Sequence, residues 1–172
     1  MGYGIMPYRV KLAEIEQLFG TSDQELASRI RNAIQARLQQ LDNSFGDPSA
    51  TEILTDFLDG KISHPQSGHL YWYVIEAMIR YFGTFLANGE WYPVRDEEIY
   101  KVAGTSMYHL RISKKLPSPD DFPSVYMVFH ADLDKASMSI KDTDHDAAQK
   151  AQFEDWCTKA KSAGQDLVMY YY

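Results

Sequence analysis

Gly164-Gln165-Asp166-Leu167-Val168-Met169-Tyr170-Tyr171-Tyr172 is the stretch whose reading decides the fold. The glycine stops whatever helix precedes it, and the residues after Asp166 are apolar, β-branched or aromatic, as in a strand. Successive side chains of a strand point to opposite faces. Leu167, Met169 and Tyr171 therefore take one face, Val168, Tyr170 and Tyr172 the other, and both faces need cover. The opposite end, Met1-Gly2-Tyr3-Gly4-Ile5-Met6-Pro7-Tyr8-Arg9-Val10, also reads as a strand. Chain ends fray into polar tails unless something ties them down. Neither end does so, and the pattern predicts one closed domain over residues 1–172. Pro7 has no N–H to give a sheet, which places the first strand at an edge or beside a bulge.

Working inward, a third strand is read over residues 125–129, an all-apolar run, and a looser alternation over residues 107–112 allows another. Leu12, Ile15 and Leu18 space a short helix stopped at Gly20. Ser22 or Asp23 caps a longer one with Leu26, Ile30, Ile34, Leu38 and Leu41 on one face. Ser49-Ala50-Thr51-Glu52 matches a capping box, and Gly60 ends the helix it opens. Residues 70–86 carry two adjacent apolar stripes, predicting a central helix packed on most sides and ended at Asn88-Gly89. Residues 96–102 read as a short helix and residues 116–124, with three prolines, as an ordered loop. A last helix spans residues 144–163, with Phe153, Trp156, Cys157 and Ala160 inward and Asp142, Thr143 or Asp144 as its cap. The expected fold class is α+β: a small, mainly antiparallel sheet holding both terminal strands, packed by about five helices.

Motifs for chemistry are sparse. Asp142-Thr143-Asp144-His145-Asp146 resembles the start of a calcium loop, yet Ala147 and Phe153 stand where such a loop needs Gly and a bidentate Glu. His64 and His69 are not at the spacing that puts two ligands on one helical face, and His130, Asp132 and Asp134 have no second His or Cys nearby. No metal or cofactor is assigned. Nucleophile elbows, Walker loops and dinucleotide fingerprints are absent from the sequence, so no catalytic residue is named. One constellation stands out on the central helix, a polar strip of His69, Tyr73, Glu76 and Arg80 with Glu76 four residues before Arg80. Trp91 and Arg95, just beyond it, bring residue types favoured at interfaces.

Composition narrows the partners. A formal net charge of −7 opposes the clustered Lys and Arg that nucleic acid requires. An acidic surface suits solubility or a basic protein partner. No run approaches the ~18 apolar residues of a membrane span, and the start lacks a basic-then-apolar secretory signal. Cys157 is the single cysteine, which fits a reducing compartment, and the cytoplasm is the expected location.

Four segments together carry a family resemblance: the Met1–Ile5 run leading into Tyr8-x-Val10, Trp91-x-Pro93-x-Arg95, Asp121-Phe122-Pro123-Ser124-Val125, and the closing Gly164-x-Asp166-Leu167-Val168-x-Tyr170-Tyr171. In that order they resemble an uncharacterised family of small bacterial proteins, a domain of unknown function, and more distantly the YfbM-like proteins. The match departs after Val125, at Tyr126 and over residues 131–142. The resemblance implies a bacterial cytoplasmic α+β domain and carries over no activity. Two readings of function follow from the residues. The first is a non-enzymatic protein-binding domain of the immunity or antitoxin kind. The second is a small-molecule binder or hydrolase using the strip on the central helix, with Trp91 and Arg95 at its rim.

Overall fold

The computed structural model describes residues 3–103 and 114–172. The strand expected over residues 107–112 lies outside the described residues. In chain order the elements are β1 (Ile5–Val10), α1 (Leu12–Gln17), α2 (Gln24–Phe45), α3 (Ala50–Asp59), α4 (Gly68–Phe82), β2 (Thr84–Phe85), α5 (Asp96–Ala103), β3 (Ser124–Val128), α6 (Leu133–Ser139), α7 (Ala147–Ser162) and β4 (Asp166–Tyr171). Short 3-10 turns at His130–Asp132 and Ile140–Asp142 flank α6. The fold is α+β. Two compact units share the chain: Met1–Leu12, Gly83–His109 and Ser124–Tyr172 form one, Ala13–Phe82 and Leu110–Pro123 the other.

The first unit is built on an antiparallel sheet of order β2-β1-β4-β3. β4 lies between β1 and β3, with Ile5 opposite Tyr171 on one side and Ser124 opposite Tyr171 on the other. A strand paired on both sides and covered on both faces reads as a continuous apolar run, and Leu167 to Tyr171 are buried without interruption. α7 packs Phe153, Trp156, Cys157 and Ala160 inward, as their spacing predicts. Its cap differs from expectation. Asp146, not Asp142, Thr143 or Asp144, accepts from the Gln149 N–H at 2.8 Å, and the Gln149 side chain answers the Asp146 N–H.

Pro7 also finds a different place. The edge strand is β2, only two residues long, and β1 lies inside it. The Pro7 carbonyl accepts from Leu86 N–H at 2.8 Å. A residue's N–H and C=O point to the same side of an antiparallel strand. The missing N–H of Pro7 therefore faces Leu86; β1 lies inside the sheet and only the reciprocal bond of that pair is absent.

The second unit packs α2, α3 and α4 against one another. α2 is capped by Asp23 and buries Ala27, Ile30, Ile34, Leu38 and Leu41. The Ser49–Glu52 capping box is formed at α3. α4 is the most apolar helix, burying Leu70, Tyr71, Trp72, Val74, Ile75, Ala77, Met78 and Ile79. It ends at Phe82, short of the expected Leu86. Past Gly83 the chain is extended, and Thr84 and Phe85 pair with Arg9 and Tyr8. Aromatic and β-branched residues serve helix and strand alike, so the pairing decides. The proline-rich loop is ordered as expected: Leu116 is buried and the Pro117 carbonyl accepts from the Trp72 indole at 3.1 Å.

Glycine is required at the end of α3. Gly60 has φ +70°, and a Cβ there would fall 2.9 Å from the Cα of Gly20. Gly164, after α7, has φ +63° with nothing within 4 Å of the same point. The two positions share a backbone demand and differ in crowding.

Candidate functional site

The strip expected on α4 is present in the second unit, but Glu76 does not form an exposed seam. Its side chain is fully buried. Oε1 accepts from Arg80 Nε at 3.2 Å and Nη2 at 2.9 Å, while Oε2 lies 3.7 Å from Arg37 Nη2 on α2. A carboxylate removed from water demands such pairing. Tyr73 stacks on Phe45 of α2, ring centroids 5.1 Å apart and 27° between planes, and His69 lies 5.1 Å from the same ring. Burial, and then the Glu76 charge, raise the Tyr73 phenol above its ordinary range. Arg37 and Phe45 are not legible as partners from sequence, because α2 meets α4 only in the fold.

A second polar group in this unit went unread. Asp56 accepts from the Ser63 N–H at 2.8 Å, the Ser63 hydroxyl at 2.9 Å and the Tyr71 hydroxyl at 2.8 Å. Burial alone would raise the carboxyl, but these hydrogen bonds outweigh it and hold the group below its ordinary range. Tyr71 is pushed up to about 12 by burial and by donating to Asp56.

Trp91 and Arg95 belong to the first unit. Trp91 is fully buried, its indole donating to the Gln149 carbonyl at 3.0 Å and its ring 4.8 Å from that of His145. Asn88 pins the loop by donating to the Ile5 and Trp91 carbonyls and accepting from the Trp91 N–H. Arg95 is largely exposed and lies 3.6 Å from Glu98. It lines a cleft of about 660 Å³ together with Glu98, Lys101, Asp144 and His145. The Thr143 hydroxyl donates to the Ile140 carbonyl at 2.7 Å and hydrogen-bonds His145 Nδ1 at 2.7 Å. Burial lowers the His145 pKa, partly countered by Glu98. Among the described residues no set of three or more His, Cys, Asp or Glu side chains could hold a metal ion.

The same loop gathers a group that the sequence pattern did not single out. Tyr3, Tyr92 and Tyr100 are 47%, 60% and 55% exposed. Tyr92 lies over Gly4, where a Cβ would collide with its ring. The Tyr3 carbonyl accepts from Val94 N–H at 3.1 Å, and the Val94 carbonyl accepts from the Tyr171 hydroxyl at 3.2 Å. Tyr3 packs on Tyr171 and Tyr100 on Tyr126, with centroids 5.8 and 6.2 Å apart. Tyr126 in turn hydrogen-bonds Asp96, and burial followed by that bond raises its phenol. Asp96, Glu97 and Glu98 form the first turn of α5 alongside. The chain holds twelve tyrosines; composition shows the excess, but not which of them stay outside.

Fold and surface define an α+β fold with a tyrosine-rimmed loop pinned to its sheet beside the acidic first turn of α5. The chain belongs to the family described as domain of unknown function DUF7691, whose family model matches residues 1–172. No curated protein matches it. No solved structure matches it. No helix among the described residues is long and apolar enough to cross a membrane.

Proposed function

We propose that the protein is a non-enzymatic binding domain that takes a basic protein partner on the surface around Tyr3, Tyr92 and Tyr100. The observation that carries this reading is the half-exposure of three tyrosines around one pinned loop, beside the acidic first turn of α5. Tyrosine offers a large contact with few rotatable bonds, which makes it a favoured anchor. Anchors held by backbone hydrogen bonds lose little freedom on binding. The net charge of −7 favours a basic partner through steering and complementarity. An immunity or antitoxin role is the form this takes in a bacterial cytoplasm, a location the family resemblance and the lone, buried Cys157 support.

The small-molecule reading on α4 is weaker, because Glu76 is already engaged by Arg80 and Arg37. The test is affinity capture from the native host with wild-type protein and with a Tyr92→Ala/Tyr100→Ala double variant. The expected result is one stoichiometric, basic partner that the wild type retains and the double variant loses. A partner held equally by both, or none above background, sinks the reading.

A further inference from the structure

A second recess in the first unit points to a different ligand. An open groove of about 510 Å³ lies where β2 meets the C-terminal half of α7. Its apolar walls are Phe85, Leu86, Ala87 and Ala163. Its polar residues are Arg9, Lys159, Thr84, Thr158 and Ser162, the last two with hydroxyls that donate to carbonyls of α7 itself, and no carboxylate is in the lining. On a chain of net charge −7, a recess with two cations and no anion runs against the average surface.

The walls are preformed. Phe85 is 51% exposed, yet its ring packs edge-on to Tyr8 at 5.6 Å. The backbone beyond it is tied by Leu86 N–H to the Pro7 carbonyl and by the Ala87 carbonyl to the Trp156 indole, both at 2.8 Å. Arg9 is aimed by a bond from Nη1 to the Gln165 side-chain oxygen at 2.9 Å, leaving its remaining guanidinium donors for a ligand. Lys159 pairs with Asp155 at 2.6 Å, but both side chains are half exposed. An exposed pair of this kind is weakly held and exchanges readily for another anion. Mostly apolar walls with a few convergent polar groups, at this volume, are the ordinary make-up of a small-ligand site.

We infer that this groove binds a monocarboxylate with a compact aromatic or short aliphatic body, its carboxylate between Arg9 and Lys159 and its body against Phe85 and Leu86. The inference stands apart from the tyrosine surface and does not depend on it. It is tested by following amide signals of the full chain in two-dimensional NMR while 3-phenylpropionate is added. Two further probes are 3-phenylpropanol, which keeps the body without the charge, and inorganic phosphate, which keeps the charge without the body. Saturable shifts at Phe85, Thr158 and Ser162 are expected with the acid, at least fivefold weaker binding with the alcohol, and none with phosphate. Lys159→Glu, on an exposed helix face, keeps the fold and weakens the acid at least fivefold. N-acetyl-alanyl-phenylalanine carries the same group at a peptide end: tighter binding than phenylpropionate marks a peptide terminus as the occupant, weaker binding a free acid. Unmoved groove residues, equal binding of acid and alcohol, or a Lys159→Glu variant with unchanged affinity overturns the inference.

Discussion

Glu76 and Asp56 show what single residues contribute in the helical unit. Taking away one member of a buried ion pair strands the other, at a cost of about 3–5 kcal/mol. Glu76 is fully buried while Arg80 is 41% exposed, so water can rescue the arginine and not the carboxylate. Arg80→Met, which strands the buried carboxylate, should therefore lower stability by about 3 kcal/mol in urea unfolding, and Glu76→Ala, which leaves only the solvated arginine, by about 2 kcal/mol. Arg80→Met should cost more than Arg37→Met, because Arg80 makes two short bonds to the carboxylate and Arg37 a single long one. A loss under about 1 kcal/mol for Glu76→Ala would show that the pair is not what holds that position.

Asp56 makes a prediction of a different kind. Its folded-state pKa lies below the unfolded value, so its contribution is complete above the ordinary carboxyl range and is lost as pH falls through the folded value. Wild-type stability should fall below about pH 4, and Asp56→Asn should flatten that fall. Parallel pH profiles for the two proteins would remove Asp56 from the account of acid unfolding.

At the scale of elements, the two glycines that follow α3 and α7 separate backbone strain from crowding. A left-handed residue other than glycine costs about 1–2 kcal/mol. Gly164→Ala should show that cost alone, since open space surrounds it, whereas Gly60→Ala must also displace Gly20. Thermal unfolding should rank Gly60→Ala as the more damaging, and the reverse order would refute the close approach of the two loops. The boundaries of elements also show where local pattern runs out. The caps at Asp23 and Ser49 were legible because a capping side chain and its first turn are adjacent in sequence. The end of α4 was not, because Thr84 and Phe85 answer to β1, far away in the chain. α6 went largely unread, being seven residues with only Leu133 and Ala136 buried.

For the molecule as a whole, the apolar run on both faces of residues 167–171 announced a strand covered on each face, and Leu167 to Tyr171 are buried without interruption. The sheet's order was not legible, since pairing partners leave no mark on a single sequence. The candidate site divides along the same line. Glu76 and Arg80 were readable at a helical spacing of four, whereas the tyrosine surface depends on which of many similar residues the fold leaves outside.

Cys157 has a consequence for experiment. It is the chain's one thiol, it is buried, and burial pushes its pKa up to about 12. A thiol reagent attacks the exposed thiolate, so the native protein is chemically silent and each labelled molecule records an opening of the sheet-bearing unit. The rate of labelling is thus a clock for that unit, set without any engineered probe. Paired with Glu76→Ala, a lesion in the helical unit, it reads out whether residues 1–172 fold as one domain. Under the single-domain reading the lesion quickens labelling at Cys157, and an unchanged rate would mean that the two units keep separate time.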